Sequence, residues 1–222
     1  MKKNLFICLI IIFASTFLSA QQNSAFYAEY RHEFSKVDGW YYSKYVIQAM
    51  GKICFIKNET YNISGIVYLR QTERVSWTSA PSVALGGVEF SMKYTAFQFL
   101  AGVNNSNLEG TKGRGKFLMF LGETSPNKNF LKTYIMASIE GGGPTGWYTE
   151  GKVHFLLTEW LAMGFVIDRN ERDDTNSDTG YGPRIDFTLP DTPIRVFGEL
   201  KWRWQDTNRD NIIGVAGVRL TF

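Results

Sequence analysis

Apolar and polar residues alternate along most of the chain in runs of about ten residues. In one such run, a set of apolar residues alternates with residues that are mostly charged. The apolar set is Ile194, Val196, Gly198, Leu200, Trp202 and Trp204. A period of two places successive side chains on opposite faces of a β-strand. The pattern predicts strands at about 25–34, 40–56, 60–72, 83–93, 96–103, 113–122, 129–140, 146–157, 159–168, 180–188, 193–204 and 212–222.

The predicted connections alternate in length along the chain. Lys57–Glu59 and Tyr94–Thr95 are short, whereas Glu73–Ser82 and Arg169–Thr179 are longer and polar. Membrane β-barrels have short periplasmic turns, longer outer loops and both termini in the periplasm. The sequence therefore predicts an all-β fold: a transmembrane, antiparallel, up-and-down β-barrel of about twelve strands, with ten and fourteen as the alternatives.

The first residues are typical of a secretory signal. Lys2 and Lys3 precede the apolar run 5–13, and small residues lead to a cleavage site after Ala20. We expect residues 1–20 to be a signal peptide and residues 21–222 to be an outer-membrane barrel in a Gram-negative bacterium. Its surroundings would then be outer-membrane lipid and lipopolysaccharide.

The last predicted strand is alternately apolar and ends at Phe222. This is similar to the C-terminal signature of bacterial barrels, which implies recognition of Phe222 by the barrel-assembly machinery.

Composition excludes some classes of function. The chain has 24 Lys and Arg against 21 Asp and Glu, so it is not basic enough to indicate a nucleic-acid partner. Removing the signal leaves the single cysteine Cys54, which we interpret as a small, buried, apolar side chain.

Alternation also places many charged residues on the predicted inner face, where bases outnumber acids. We predict that the bases on neighbouring strands form a cationic stripe that lines a pore and binds small anionic solutes. The pore-lining candidates are Arg31, Arg70, Arg184, Arg195, Lys201, Arg203 and Arg219. The alternative is a stabilising ion-pair network with the acids Glu29, Glu33, Asp186 and Glu199.

Catalysis finds little support, and we expect neither an enzyme nor a cofactor. His154 shares a predicted inner face with Ser138, but the strand spacing keeps them roughly 15 Å apart, too far for a base and its nucleophile. We interpret His32 as an outward residue at the membrane interface with no serine beside it. No metal site is predicted beyond the partial calcium-loop pattern of Asp206, Asn208 and Asp210, which lacks the glycine and the bidentate Glu.

The segment Tyr30-Arg31-His32-Glu33-Phe34 resembles the opening strand of the small twelve-stranded porins for acidic oligosaccharides, the oligogalacturonate and sialic-acid channels. The resemblance implies a channel for passive diffusion of small, anionic solutes. Two alternatives remain open: a non-conducting structural or accessory barrel of an envelope complex, and a barrel enzyme that modifies lipids.

Overall fold

The structure is a computed structural model that describes residues 24–37, 40–74, 82–106, 113–127, 131–141, 146–172, 175–205 and 211–222. Among these residues, no helix is long and apolar enough to cross a membrane. The predicted signal peptide lies outside the described residues, and so does the partial calcium pattern of Asp206, Asn208 and Asp210.

The described residues form β-strands joined by brief connections. The strands are β1 Ser24–Val37, β2 Trp40–Lys57, β3 Tyr61–Arg74, β4 Ser82–Met92, β5 Thr95–Ser106, β6 Gly113–Asn127, β7 Leu131–Gly141, β8 Gly146–Leu156, β9 Leu161–Arg172, β10 Thr175–Thr188, β11 Ile194–Gln205 and β12 Asn211–Thr221.

Each strand pairs antiparallel with the strand before it and the strand after it. The first strand pairs with β2 and also with β12, so the strand order is that of a closed barrel. At the seam, the amide of Phe26 donates to the carbonyl of Phe222 (3.0 Å), and the amide of Phe222 donates back to Phe26 (2.8 Å). The predicted all-β, antiparallel, up-and-down architecture is confirmed.

The two faces of the sheet have opposite character, as β10 illustrates. Tyr181 and Ile185 point outward and are 45% and 49% exposed, whereas Arg184 and Asp186 point inward and are buried. Because strand side chains alternate, β10 presents apolar groups outside and charged groups inside. The candidate functional residues therefore lie inside the barrel.

Short polar side chains close several tight connections. The Asn58 side-chain oxygen accepts from the amides of Thr60 (2.9 Å) and Tyr61 (2.7 Å), between β2 and β3. The Thr158 hydroxyl oxygen accepts from the amide of Leu161 (3.0 Å). Asp191 takes a positive φ of 58°, which Asp tolerates in turns.

Some predicted strand ends were wrong. The predicted loop Arg169–Thr179 is largely strand, because β9 continues to Arg172 and β10 begins at Thr175. The first predicted short connections, in contrast, agree with the structure to within about two residues. A strand that is polar on both faces gives no alternation signal, which explains the difference.

The interpretation of Cys54 as buried was also wrong. Its side chain is only partly buried, and its thiol donates to the carbonyl of Ile56 (3.2 Å). A register shift between Cys54 and Ile56 inserts Phe55 as an extra residue in β2, and the Phe55 ring lies over Gly65 of β3. The bulge turns the thiol toward the strand end rather than into the packed interior.

Candidate functional site in the barrel interior

Inward side chains of β1, β2 and β8–β12 bring the charged residues together. Their position follows from the period of two, since the charged residues occupy every second position of these strands. The carboxylates among them are Glu29, Glu33, Glu150, Asp168, Asp178, Asp186 and Glu199, and most are buried.

Arg184 is one of the buried residues among the predicted pore-lining set. Its Nε and Nη2 donate to the two oxygens of Asp186, each at 2.7 Å, and its Nη1 donates to Glu199. Its guanidinium carbon also lies 4.1 Å from the ring centroid of Phe197. The Arg184 guanidinium group is thus held in position by two carboxylates and an aromatic ring.

Lys201 and Arg203 share one acid. The Lys201 Nζ donates to Asp168 (2.6 Å), and Arg203 Nη2 donates to the other oxygen of Asp168 (3.1 Å). The Lys201 side chain is buried, and Asp178 lies 3.6 Å from Arg203 Nε. These contacts join β9, β10 and β11 on the inner face.

Glu29 connects the strands on both sides of the seam. It accepts from Gln48 Nε2 of β2 (2.9 Å) and from Arg219 Nε of β12 (2.7 Å). Arg31 Nε lies 3.6 Å from the same carboxylate, and the Tyr68 hydroxyl donates to Gln48 (2.9 Å). The buried Glu29 is thus surrounded by donors.

Further pairs follow the same pattern in the rest of the described interior. Lys44 donates to Glu33 (2.9 Å), Lys52 donates to Glu89 (2.7 Å), and Lys152 lies 2.8 Å from Glu150. Together these contacts are the ion-pair network that the sequence left as the alternative to a bare cationic stripe. We call this set of inward ion pairs the charged wall.

The remaining predicted pore-lining residues, Arg70 and Arg195, are inward and partly buried. Arg195 Nε donates to the Thr188 hydroxyl (3.3 Å). The register pairs Arg195 of β11 directly with Arg219 of β12, so two guanidinium groups enter the interior side by side. Of the described inward residues, this pair of arginines most resembles the predicted cationic stripe.

An apolar patch on the inner face was missed by the sequence analysis. Ile66, Val83, Leu85 and Leu100 of β3–β5 are each 3% exposed and form one cluster with Tyr68. We call this patch the apolar wall. Its signal is present in the sequence, since β3–β5 carry apolar residues on both faces.

Tyr148 of β8 packs against the apolar wall from a distant strand. Its hydroxyl donates to Glu150 of the charged wall (3.1 Å). One side chain therefore reaches both walls and narrows the interior between them.

The two histidines lie on opposite faces. His154 points inward, and its Nδ1 lies 3.2 Å from Asp186. The register pairs Ser138 with Tyr148, six residues along β8 from His154, in agreement with the predicted separation.

The interpretation of His32 was wrong in one respect, because a serine does lie beside it. His32 Nε2 and Ser43 Oγ are 2.5 Å apart, and the imidazole stacks on Tyr45 with 4.4 Å between ring centroids. The strand period alone did not reveal this contact, because it gives the face of each residue but not the register between β1 and β2.

Among the described residues, no group of three or more His, Cys, Asp and Glu side chains is arranged to hold a metal ion. The site is therefore built from ion pairs, aromatic rings and an apolar patch.

Comparisons with known proteins find the same fold among outer-membrane β-barrels. No family model matches the sequence, and no curated protein matches it. Among solved structures, the KdgM porin is 10% identical, with a TM-score of 0.58, over 88% of this chain and 99% of that chain. An outer-membrane channel from Pseudomonas putida F1 is 9% identical, with a TM-score of 0.57, over 90% of this chain and 95% of that chain.

A third match, the CymD monoaromatic hydrocarbon channel, is 6% identical, with a TM-score of 0.50, over 96% of this chain and 92% of that chain. At these identities the likeness shows the fold alone. The weak resemblance to a small outer-membrane porin, first indicated by Tyr30–Phe34, is confirmed at that level.

Proposed function

We propose that the protein is a narrow outer-membrane channel for passive diffusion of small solutes, biased toward anions. In this proposal it is a twelve-stranded barrel with both termini in the periplasm. The observation that carries the proposal is the contrast between an apolar outer face and a charged inner face.

The outer face suits lipid better than water. It exposes large apolar groups on many strands, such as Phe34, Phe99, Phe165, Ile185 and Leu200, each between 45% and 57% exposed. A water-soluble monomer rarely exposes so large an apolar surface, whereas a bilayer accommodates it. Outer-membrane lipid and lipopolysaccharide are the partners proposed for this face.

The likeness in fold supports a channel. The KdgM porin has also been solved with disordered oligogalacturonate, and CymD is described as a channel for monoaromatic hydrocarbons. Barrels of this fold thus serve both polar and apolar solutes. The solute preference of this chain must therefore be inferred from the residues of its interior.

The anion bias rests on the adjacent Arg195 and Arg219. Like charges directly opposite each other on neighbouring strands repel. An anion that enters beside both guanidinium groups lowers that repulsion, and a guanidinium fork matches a carboxylate or phosphate. Arg219 also pairs with Glu29 and Arg195 also donates to Thr188, so we assign the bias to two guanidinium groups that stand side by side, and not to unpaired charges.

A second candidate function is a non-conducting structural barrel. It is favoured by the burial of Arg184, Glu199, Lys201 and Asp168 in ion pairs, and by Tyr148 between the two walls. Small barrels are stabilised by such filling. Conduction through this interior requires side chains to move, so conductance decides between the two functions.

The deciding experiment is single-channel recording from the refolded protein in planar bilayers, with the reversal potential measured in a salt gradient. We expect small discrete steps with anion selectivity. Changing Arg195, Arg203 and Arg219 to Ala should move the reversal potential toward that of an unselective pore. The control is Arg169→Ala, which removes one positive charge from the outer face and should leave selectivity unchanged.

Absence of conductance from a barrel of verified fold would exclude the channel and favour the structural function. We further propose that the protein is not an enzyme and that the His32–Ser43 contact is structural. Covalent labelling of Ser43 by a fluorophosphonate would contradict this, because such probes report an activated serine.

A further inference from the structure

The apolar wall contrasts with the ion pairs that fill much of the described interior. A barrel that passes only water and polar solutes has a polar interior. Here Val83, Leu85 and Leu100 are each 3% exposed, and they form one cluster with Ile66 and Tyr68, against which Met50 and Tyr148 pack. The position is therefore complementary to an apolar body rather than to a sugar.

The polar side of the same position offers hydrogen-bond donors. Among the described residues, the Nε atoms of Arg31 and Arg203 are buried and have no hydrogen-bond acceptor. Glu150, which accepts from Tyr148, lies opposite Asp168 in the register of β8 and β9, and Asp168 accepts from Arg203, so Arg203 lies near the hydroxyl end of Tyr148. Arg31 interacts electrostatically with Glu150 and with Tyr148. A carboxylate can accept from these Nε atoms without breaking a hydrogen bond, but it would share each guanidinium group with an internal carboxylate 3.6 Å from Nε, that of Glu29 for Arg31 and that of Asp178 for Arg203.

Tyr148 occupies the space between the two sides. Its ring packs on the apolar wall while its hydroxyl donates to Glu150. A ring that carries a polar group at one end thus already fills the position from within the chain. If the Tyr148 side chain moves aside, a ligand of similar shape and polarity can occupy the space that it leaves.

We propose that the interior binds small amphipathic anions, namely aromatic or branched aliphatic carboxylates, between the apolar wall and Arg31 with Arg203. The apolar body replaces the Tyr148 ring against Val83, Leu85 and Leu100, and the carboxylate accepts from the two guanidinium groups. The proposal extends the proposed channel by naming its class of solute, and it departs from the acidic sugars that the sequence resemblance implies.

The first measurement is calorimetric binding of benzoate and of glucuronate to the folded protein in detergent micelles, with empty micelles as the blank. Both probes carry one carboxylate and a six-membered ring, but only benzoate has an apolar body. Benzoate should bind about tenfold more tightly, because burying an aromatic ring against apolar side chains is worth at least that ratio. Equal binding of the two probes, or no binding of benzoate, would overturn the proposal.

A matched pair of variants tests the position. Val83→Thr keeps the shape of the side chain but adds a hydroxyl to the apolar wall, so the preference for benzoate should fall severalfold. Val215 has the same 3% exposure but belongs to a separate inner cluster with Phe197 and Ile213. Val215→Thr should keep the preference, and equal losses in the two variants would contradict the assigned position.

Block of conductance separates this proposal from the proposed function. Benzoate should reduce the current at lower concentration than glucuronate, and Arg31→Gln should weaken the block by both. Tight benzoate binding to a barrel that does not conduct would keep the binding site and exclude the channel. Conductance with equal block by both probes would keep the channel and exclude the amphipathic site.

Discussion

At the scale of single residues, Arg184 shows how the interior is stabilised. It is buried and satisfies Asp186 and Glu199 together. Its removal would leave two carboxylates buried with fewer donors, and a buried charge without its partner is costly. The residue is therefore structural as well as part of the predicted pore lining.

We predict that Arg184→Ala lowers the free energy of unfolding by about 3–5 kcal/mol. Urea unfolding of the protein refolded into lipid vesicles measures the change. The control is Arg169→Ala, since Arg169 pairs with Glu171 on the surface, where both side chains are at least 40% exposed. That change should cost less than about 1 kcal/mol, and comparable losses in the two variants would contradict the assigned role of Arg184.

The sequence predicted which face such residues occupy but not which partners they contact. Arg184, Lys201, Arg203 and Arg219 were placed inside by their position in the two-residue period, and the structure has them there. The pairing of Arg184 with Glu199 depends on the register between β10 and β11, which alternation does not determine. For the same reason the contact between His32 and Ser43 was missed.

At the scale of strands, Gly182 lets β10 and β11 approach each other closely. A Cβ atom at Gly182 would lie 1.9 Å from the carbonyl oxygen of Leu200, inside any permitted contact. The clash is with backbone, so no side-chain rotation relieves it. Glycine in the interior of a strand commonly marks such an approach.

We predict that Gly182→Ala costs about 1–3 kcal/mol of stability, because the two strands must shift apart. The matched control is Gly198→Ala in β11, where the nearest atoms to an added Cβ lie 3.8 Å away. That change should be neutral, or stabilise by about 0.4–1 kcal/mol through the unfolded state. Urea midpoints of both variants give the comparison, and equal destabilisation would refute the close approach at Gly182.

The errors at strand scale have one physical cause. Alternation detects a strand where one face is apolar. It therefore predicted strands at 159–168 and 180–188 but not the polar ends of β9 and β10 near Arg172 and Thr175. Alternation also fails to identify an inward apolar residue when the outer face of the same strand is apolar as well. For this reason alternation did not predict the apolar wall of β3–β5.

At the scale of the whole molecule, the interior is divided. The charged wall is supplied mainly by β1, β2 and β8–β11, and the apolar wall by β3–β5. Tyr148 crosses from β8 to the apolar wall, so the interior is narrow where the two walls meet. An anion selected by charge alone would use only the first wall, whereas an amphipathic anion uses both.

The seam between β1 and β12 joins the ends of the described chain through backbone hydrogen bonds. Phe222 and Phe26 exchange two of these bonds, and their ring centroids lie 6.5 Å apart. The Phe222 side chain is 53% exposed, so its ring adds little to the packing of the barrel. We therefore propose that this ring acts mainly in recognition by the barrel-assembly machinery.

We predict that Phe222→Ala refolds in detergent with wild-type yield and loses no more than about 1 kcal/mol of stability, since the backbone bonds remain and the ring is half exposed. In cells, the amount of folded protein in the outer membrane should fall severalfold. The control is Phe187→Ala, an outward ring that is 40% exposed and packs on Trp160 near another chain turn. Its loss should leave assembly in cells unchanged. Equal decreases in the cellular amounts of the two variants would mean that Phe222 contributes only as one more outward aromatic residue.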